Sequence, residues 1–436
     1  MKIEEKILEL AKKKADSAEV IFEEGESSSV SFENNKLKYI HSSSTRGIGL
    51  RVIKDGRVGF SSTMDLRDPR GFVGMALRSA RFGQEVKFEF PPQGNFADIK
   101  VFDKSVVDYP TENSISAGKE AIDKSLSVCP DYLCGVDIGN TVWKRRLLNT
   151  NGLDVTKEST SFGAGYGVML IRGKTLISVS EGDSSRKVSS RLMEHVKKSL
   201  EKMRLSEKDV RVKSGNYPVI FTAKTMGLLL ATFEMGCSGK LVQKGVSPFA
   251  DKLGEKLLDE GLSIYDDSTL DFAVGSYPMD GEGTPSQRTP LFEKGVLKNF
   301  LYDLQTAGIM SAKSTGSGNR SFASQPAPGC ANIIVATGDM TLEDMVKDVR
   351  YGVIVDQVLG GGQSNVLAGE FSVNIDLGFL IENGEMVGRV KDCMIAGNVF
   401  DAFNNIAAIG SEAEWHGTDH IPPFYFKNLT VVGQED

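Results

Sequence analysis

Between residues 3 and 205 the chain passes twice through the same succession of patterns, a helix, several short strands with tight turns and a second helix, and so long a recurrence restricts the folds open to it. In the first pass Ile3, Ile7, Leu10 and Ala11 share one helical face over residues 3–15, with lysines and glutamates elsewhere, as in a helix packed on a sheet. Extended segments follow at Val20–Phe22, Val30–Phe32 and Leu37–Ile40, with Glu33-Asn34-Asn35 as a turn. Ile48–Ile53 and Arg57–Phe60 flank Lys54-Asp55-Gly56, whose Asp-Gly pair tolerates the positive φ angles of a tight hairpin. A helix from about Arg70 to Arg81 closes this pass.

The second pass predicts a helix over Thr111–Asp123 and strands at Tyr132–Ile138, Arg145–Asn149, Gly163–Ile171 and Thr175–Ser180. Turns fall at Asn149–Gly152 and Gly173-Lys174, and a helix spans about Ser189–Met203. The pattern reads as a duplication, 1–90 and 110–205, with chance recurrence as the alternative; Pro91-Pro92-Gln93-Gly94 reads as the hinge between the copies. After a charged stretch at Ser206–Gly215 the character changes. Residues 216–436 predict helices over 223–235 and 249–259, then short apolar segments such as Cys330–Val335, Phe371–Ile375, Phe379–Ile381, Met386–Val390 and Leu429–Val432. Asn383-Gly384 marks a hairpin, and Thr341 followed by Asp344 marks a helix start, the helix running to about Val349. The expected fold class is α+β: an N-terminal duplicated helix and antiparallel-strand region, 1–205, followed by a β-rich C-terminal region, 216–436.

Fifty-eight acidic residues against fifty-one basic give a formal charge of −7, which favours solubility and argues against broad nucleic-acid binding. No long uncharged apolar run suggests a membrane span, and the first fifteen residues lack a signal-peptide core, so a cytoplasmic location is expected. Cys129, Cys134, Cys237, Cys330 and Cys393 are irregularly spaced and form no disulfide framework.

Of four histidines, His195 reads as a surface or packing residue, and His41 ends a strand with no obvious partner. In Trp415–Pro423, however, His416, Asp419 and His420 are all legitimate metal ligands within five residues. Gly417 and Pro422-Pro423 argue against a helix that would align the two rings, so a terminal loop with ordinary hydrogen bonds is the blander reading. Gly281, Glu282, Gly283, Thr284 and Gln287 lie in a polar loop whose glycines would admit the backbone of a peptide or partner. Leu359–Ser364, with Gly361 and Gln363, lacks the Gly-Lys-Ser/Thr ending of a phosphate-cradling loop. Ser311, Lys313, Ser314, Ser317 and Arg320 contain no serine marked as activated.

Several pieces together resemble the TldD/PmbA family over nearly the whole chain: Gly245-Val-Ser-Pro-Phe-Ala250, Asp280-Gly-Glu-Gly-Thr-Pro-Ser-Gln287, Gly360-Gly-Gly-Gln363, Ile381-Glu-Asn-Gly384 and the hairpin region from Arg46-Gly47-Ile48-Gly49 to Phe60. In the family's catalytic, TldD-like kind of subunit, a His-Glu-x-x-x-His helix and a later cysteine hold zinc. The resemblance puts those helix positions on Leu230, Ala231 and Met235, and the late cysteine in Gly410–Glu414, where this chain has none.

The chain therefore resembles the PmbA, or TldE, kind of subunit. This implies a non-catalytic partner of a TldD-like subunit in a cytoplasmic protease acting on peptides or unfolded proteins. It implies dimeric association, whether with that partner or as a homodimer, no cofactor in this chain, and zinc only in the partner. Gly281, Glu282, Gly283, Thr284, Gln287, Gly361 and Gln363 become candidate substrate or partner contacts. Two alternatives stand beside it: an independent metal-dependent peptidase using a relocated site around Glu412, Glu414, His416, Asp419 and His420, and a regulator that binds DNA gyrase.

Overall fold

Strands in the first half run much further than the apolar segments suggest. The computed structural model describes residues 1–173, 175–359 and 365–433. Helix α1 (Ile3–Lys12) leads into β1 (Ser17–Glu33), β2 (Lys36–Lys54) and β3 (Arg57–Thr63), and α2 (Pro69–Ala80) follows. After the one-turn α3 (Lys104–Val107) come α4 (Thr111–Val128), β4 (Leu133–Asn149), β5 (Asp154–Arg172), β6 (Thr175–Ser185) and α5 (Leu192–Leu205). Val20–Phe22 and Val30–Phe32 are thus parts of one strand, as are Tyr132–Ile138 and Arg145–Asn149 apart from Tyr132 itself. The intervening serines read as loop because they bury no apolar face, but a ladder is held by backbone bonds. Ser27 pairs with Ser43 in register, their Oγ atoms 2.7 Å apart.

The six strands form one antiparallel sheet in the order β3-β2-β1-β4-β5-β6, two three-stranded meanders joined along β1 and β4. Ile7 and Ala11 of α1 and Phe72 and Ala76 of α2 cover Val20, Leu50 and Val52. Ile122 of α4 and Val196 of α5 pack with Val136, Phe162 and Tyr166. The Pro91–Gly94 segment is tied to the β4–β5 turn, where Asn149 donates to the Pro91 carbonyl at 2.8 Å and Asn151 to that of Phe90 at 2.6 Å.

Beyond β7 (Asp209–Val210), an eight-stranded sheet is built on β8 (Gly215–Phe221), which lies between Tyr351–Leu359 and Phe424–Val432. A second, six-stranded sheet includes Ile264–Asp267, Ile333–Val335 and the hairpin Glu414–His416 with Asp419–Ile421. Helix α6 (Ala223–Gly236) contributes Met226, Leu229, Leu230 and Phe233 to the core of this half. Asn383 and Gly384 take φ of 50° and 83° in the hairpin that the Asn-Gly pair predicts, and Thr341 Oγ1 accepts from the Asp344 N–H at 3.1 Å at the start of the helix Leu342–Asp348.

The helix expected over 249–259 does not form. Gly254 sits at φ +87°, which no helix interior uses, and the buried Phe249 and Leu258 anchor turns rather than a helical face.

The Asp280–Thr284 loop is not open either. Glu282 is wholly buried where the N-terminal sheet meets the C-terminal region. Arg51 reaches Glu19 at 2.8 Å and Glu282 at 2.7 Å, and Arg320 reaches Glu19 at 2.5 Å, with none of these side chains more than 3% exposed. The second Glu282 oxygen accepts from the Leu304 N–H at 2.7 Å, and Arg320 Nε donates to the Gly281 carbonyl at 2.5 Å. Asp280 folds the loop by accepting from the N–H groups of Glu282, Thr284 and Gly318. Gly283, at φ +85°, would place a Cβ 2.5 Å from the Leu153 side chain. The glycines at 281 and 283 serve this internal approach, not that of a peptide.

Breaking a buried pair strands a charge in a low dielectric. Arg51→Met is expected to cost about 3–5 kcal/mol in denaturant unfolding, whereas Arg67→Ala, which removes an exposed pair with Asp65, should leave the unfolding midpoint nearly unchanged.

Candidate functional site

Helix α6 has two faces. Met226, Leu229, Leu230 and Phe233 point into the core, while Lys224, Gly227, Leu228, Ala231, Glu234 and Met235, at spacings of three and four, are less buried. Leu230 is therefore on the wrong face to serve an open site, Ala231 presents a methyl group, and Met235 is 42% exposed. These three residues do not fit zinc: two carry no donor, and a thioether is a poor substitute for imidazole. Among the described residues no group of three or more His, Cys, Asp and Glu side chains is arranged to hold a metal. Cys237, at the end of α6, is buried, which pushes its thiol up.

On its less buried face α6 carries Glu234, which neighbours Asp266 and Asp419 of adjacent strands. Burial, with Asp419 and Asp266 nearby, pushes Glu234 up to about 7. Burial likewise pushes Asp266 up to about 7, although it accepts from the N–H groups of Ala331 and Asn332. Asp419 is also raised by burial, and it approaches α6 at Gly227, where a Cβ would lie 3.2 Å from its Oδ2.

Asp419 belongs to the terminal hairpin, whose turn has Gly417 at φ +63°. His416 stands opposite Asp419, and Trp415 opposite His420. Alternation along a strand puts His416 and Asp419 on one face and His420 on the other, where its ring lies 4.7 Å from that of Trp415. The structure thus brings His416 together with Asp419 and Glu414 but does not bring His420 to them, so His416 and His420 cannot share an ion.

A charged network lies at the amino end of α6. Lys202 of α5 contacts Glu181 of β6 at 2.6 Å and Asp356 at 2.7 Å, and Lys224 contacts Gln357 at 2.9 Å and Glu181 at 3.6 Å. Burial acts to lower Lys202, but Asp356 and Glu181 outweigh it and hold the ammonium above its ordinary range; burial wins for Lys224, which is lowered. On the rim, His416 and Lys198 hold the Glu414 carboxyl down at about 2. No sequence pattern pairs residues 181, 202, 224 and 356.

The other candidates disperse. His195 is buried and bonded to Asp183 at 2.9 Å, and His41 is exposed on β2. Arg320 belongs to the buried network, Ser317 accepts from the Thr315 hydroxyl, Ser314 donates to the Tyr302 carbonyl, and Ser311 and Lys313 are exposed. Thr284 is half-buried and Gln287 exposed; Gly361 and Gln363 lie outside the described residues.

A two-layered helix-and-sheet front half, followed by sheets that enclose a helix carrying no metal donor at its motif positions, defines a protein built on a metallopeptidase-related scaffold. Residues 214–433 match the PmbA/TldA metallopeptidase C-terminal domain and residues 18–80 match PmbA/TldA metallopeptidase domain 1. The chain belongs to this PmbA/TldD family. It is 28% identical to an uncharacterized protein of Methanocaldococcus jannaschii over 98% of this chain and 99% of that one. It is 26% identical to the metalloprotease PmbA of Escherichia coli O157:H7 over 98% and 94%. The crystal structure of TldE from Thermococcus kodakarensis shares the fold, with a TM-score of 0.90 at 24% identity, over 99% of this chain and all of that one. A Thermotoga maritima chain described as a candidate modulator of a DNA gyrase has a TM-score of 0.90 at 25% identity over 99% of each chain.

Two outcomes follow from α6. A carboxyl whose pKa is higher folded than unfolded holds its proton longer in the native state, so stability falls as pH rises through the interval between the two values. For Glu234 that interval runs from about 4.5 to about 7. Glu234→Gln is expected to flatten this part of the stability profile and to gain about 1–2 kcal/mol above pH 7, as read from unfolding at several pH values. Leu230→His places a polar ring in the core and should cost at least about 2 kcal/mol, and the triple variant Leu230→His, Ala231→Glu, Met235→His should still take up no stoichiometric zinc.

Proposed function

We propose that this chain is the non-catalytic, PmbA/TldE-type member of a cytoplasmic protease acting on peptides or unfolded proteins, with zinc and water activation residing in a TldD-like partner. The observation that carries the reading is α6: of its three motif positions, one is turned into the core, one is a methyl group and one is an exposed thioether. Family membership makes those positions meaningful, and the relative named metalloprotease PmbA covers nearly the whole chain. Relatives named metalloprotease TldD homolog, from Buchnera aphidicola, are 33% and 30% identical over 46% of this chain, which supplies a template for the partner. On this reading the chain pairs with that partner as a heterodimer or larger assembly, and a homodimer forms only in its absence. The exposed Gln287 remains a contact for substrate or partner on this reading, and the buried Glu282 does not.

Mixing the purified chain with the same organism's TldD-like protein tests this. Light scattering should report a joint complex, and the mixture should cleave unstructured peptides in a chelator-sensitive manner. Two species that stay separate, with cleavage by the TldD-like protein unaffected by this chain, would refute the proposal.

A further inference from the structure

Beside the amino end of α6, a cavity of about 330 Å³ opens between α5, the strands Tyr351–Leu359, Glu370–Glu382 and Glu385–Val390, and the terminal hairpin. That volume lies at the lower end of the range of about 300–1,000 Å³ typical of ligand pockets. The cavity's floor is apolar, with the buried Ile354, Phe379 and Pro423. Three large apolar side chains that also line it, Leu205, Leu342 and Met386, are left 37%, 38% and 38% exposed. Isolated exposed apolar residues are ordinary, but three converging on one pocket whose floor is also apolar form a surface suited to an apolar group.

The charges around this pocket are unequal. Five carboxylates and three lysines line it. Lys202 and Lys224 are occupied deep in the wall by Glu181, Asp356 and Gln357, and Lys198 is occupied by Glu414 at 3.0 Å. Glu201 and Glu412 on the rim are exposed; Glu201 has only Lys197 at 4.0 Å, the next turn of its own helix, and Glu412 has no ion pair among the described residues. An occupant must therefore bring an apolar side chain to the floor and positive charge to the rim.

We infer that this cavity is a binding site for a peptide segment in which one large apolar residue is flanked by lysine or arginine. The apolar side chain displaces water from the Ile354 and Phe379 floor, while the basic side chains meet Glu201 and Glu412 at the solvent boundary, where complementary charge governs selectivity. Such recognition uses this chain's own residues and is independent of pairing with a zinc-bearing subunit.

Calorimetric titration of the isolated full chain with three capped pentapeptides, acetyl-Gly-Lys-Leu-Lys-Gly-amide and its Glu-Leu-Glu and Lys-Ser-Lys counterparts, provides the test. The Lys-Leu-Lys peptide should bind one per chain, more weakly as salt rises, and each counterpart should bind about tenfold more weakly or worse. The double variant Glu201→Gln, Glu412→Gln, and separately Leu342→Ser, should each weaken that binding severalfold, with the thermal midpoint of the double variant unchanged. Equal affinity for all three peptides, no binding, or binding unaffected by either variant would overturn the assignment. So would light scattering that finds a second copy of the chain covering the cavity and released by Leu342→Asp.

Discussion

The arrangement of the whole chain depends on the buried charges joining Glu19 and Arg51 of the front sheet to Glu282 and Arg320 of the back half. Desolvating four ionised side chains is unfavourable, and only dense mutual pairing offsets it. Each arginine therefore has its place fixed by carboxylates, and Glu19 takes both arginines on one oxygen. The stacking of Arg51 on Phe88 and Phe90 and the packing of Met279 with Ile21 and Leu147 surround the charges with apolar groups. Such a network specifies one relative placement of the two halves, because any sliding leaves a charge buried without its partner.

That placement makes the region around α6. With the front sheet fixed, Glu181 on β6 meets Lys202 and Lys224, and α5 forms one wall of the cleft at the amino end of α6. On the helix itself, the positions where metal chemistry would need donors now serve packing or face solvent, while Glu234, Asp266 and Asp419 crowd protonatable carboxyls against the open face. Burial raises all three carboxyls, and among the described residues no group of three or more His, Cys, Asp and Glu side chains is arranged to hold a metal.

Local signals were legible in the sequence. The α+β class follows from the alternation of helical and extended patterns, and Asp55-Gly56 and Asn383-Gly384 form tight turns because both pairs tolerate positive φ. Thr341 caps its helix for an equally local reason. Strand length was not legible, since Ser27–Ser29 and Ser42–Ser44 bury no apolar face and are held by the backbone ladder and a Ser27–Ser43 hydroxyl pair. The Asp280–Gln287 segment has a loop's composition, and nothing local distinguishes a glutamate facing water from one meeting an arginine 231 residues away. The apolar Leu230 and Ala231 were visible as losses of chemistry, but the inward direction of Leu230 required the helix to be placed against its core. The opposition of His416 and His420 likewise required the hairpin register.

The central claim, that this chain has the scaffold without the metal donor set, is tested most directly by zinc content. The isolated chain, purified after growth in zinc-supplemented medium and exhaustively dialysed, would be analysed by plasma mass spectrometry alongside a peptide-cleavage assay. The account predicts far less than one zinc per chain and no chelator-sensitive cleavage; one tightly held zinc per chain, lost together with cleavage on chelation, would contradict it.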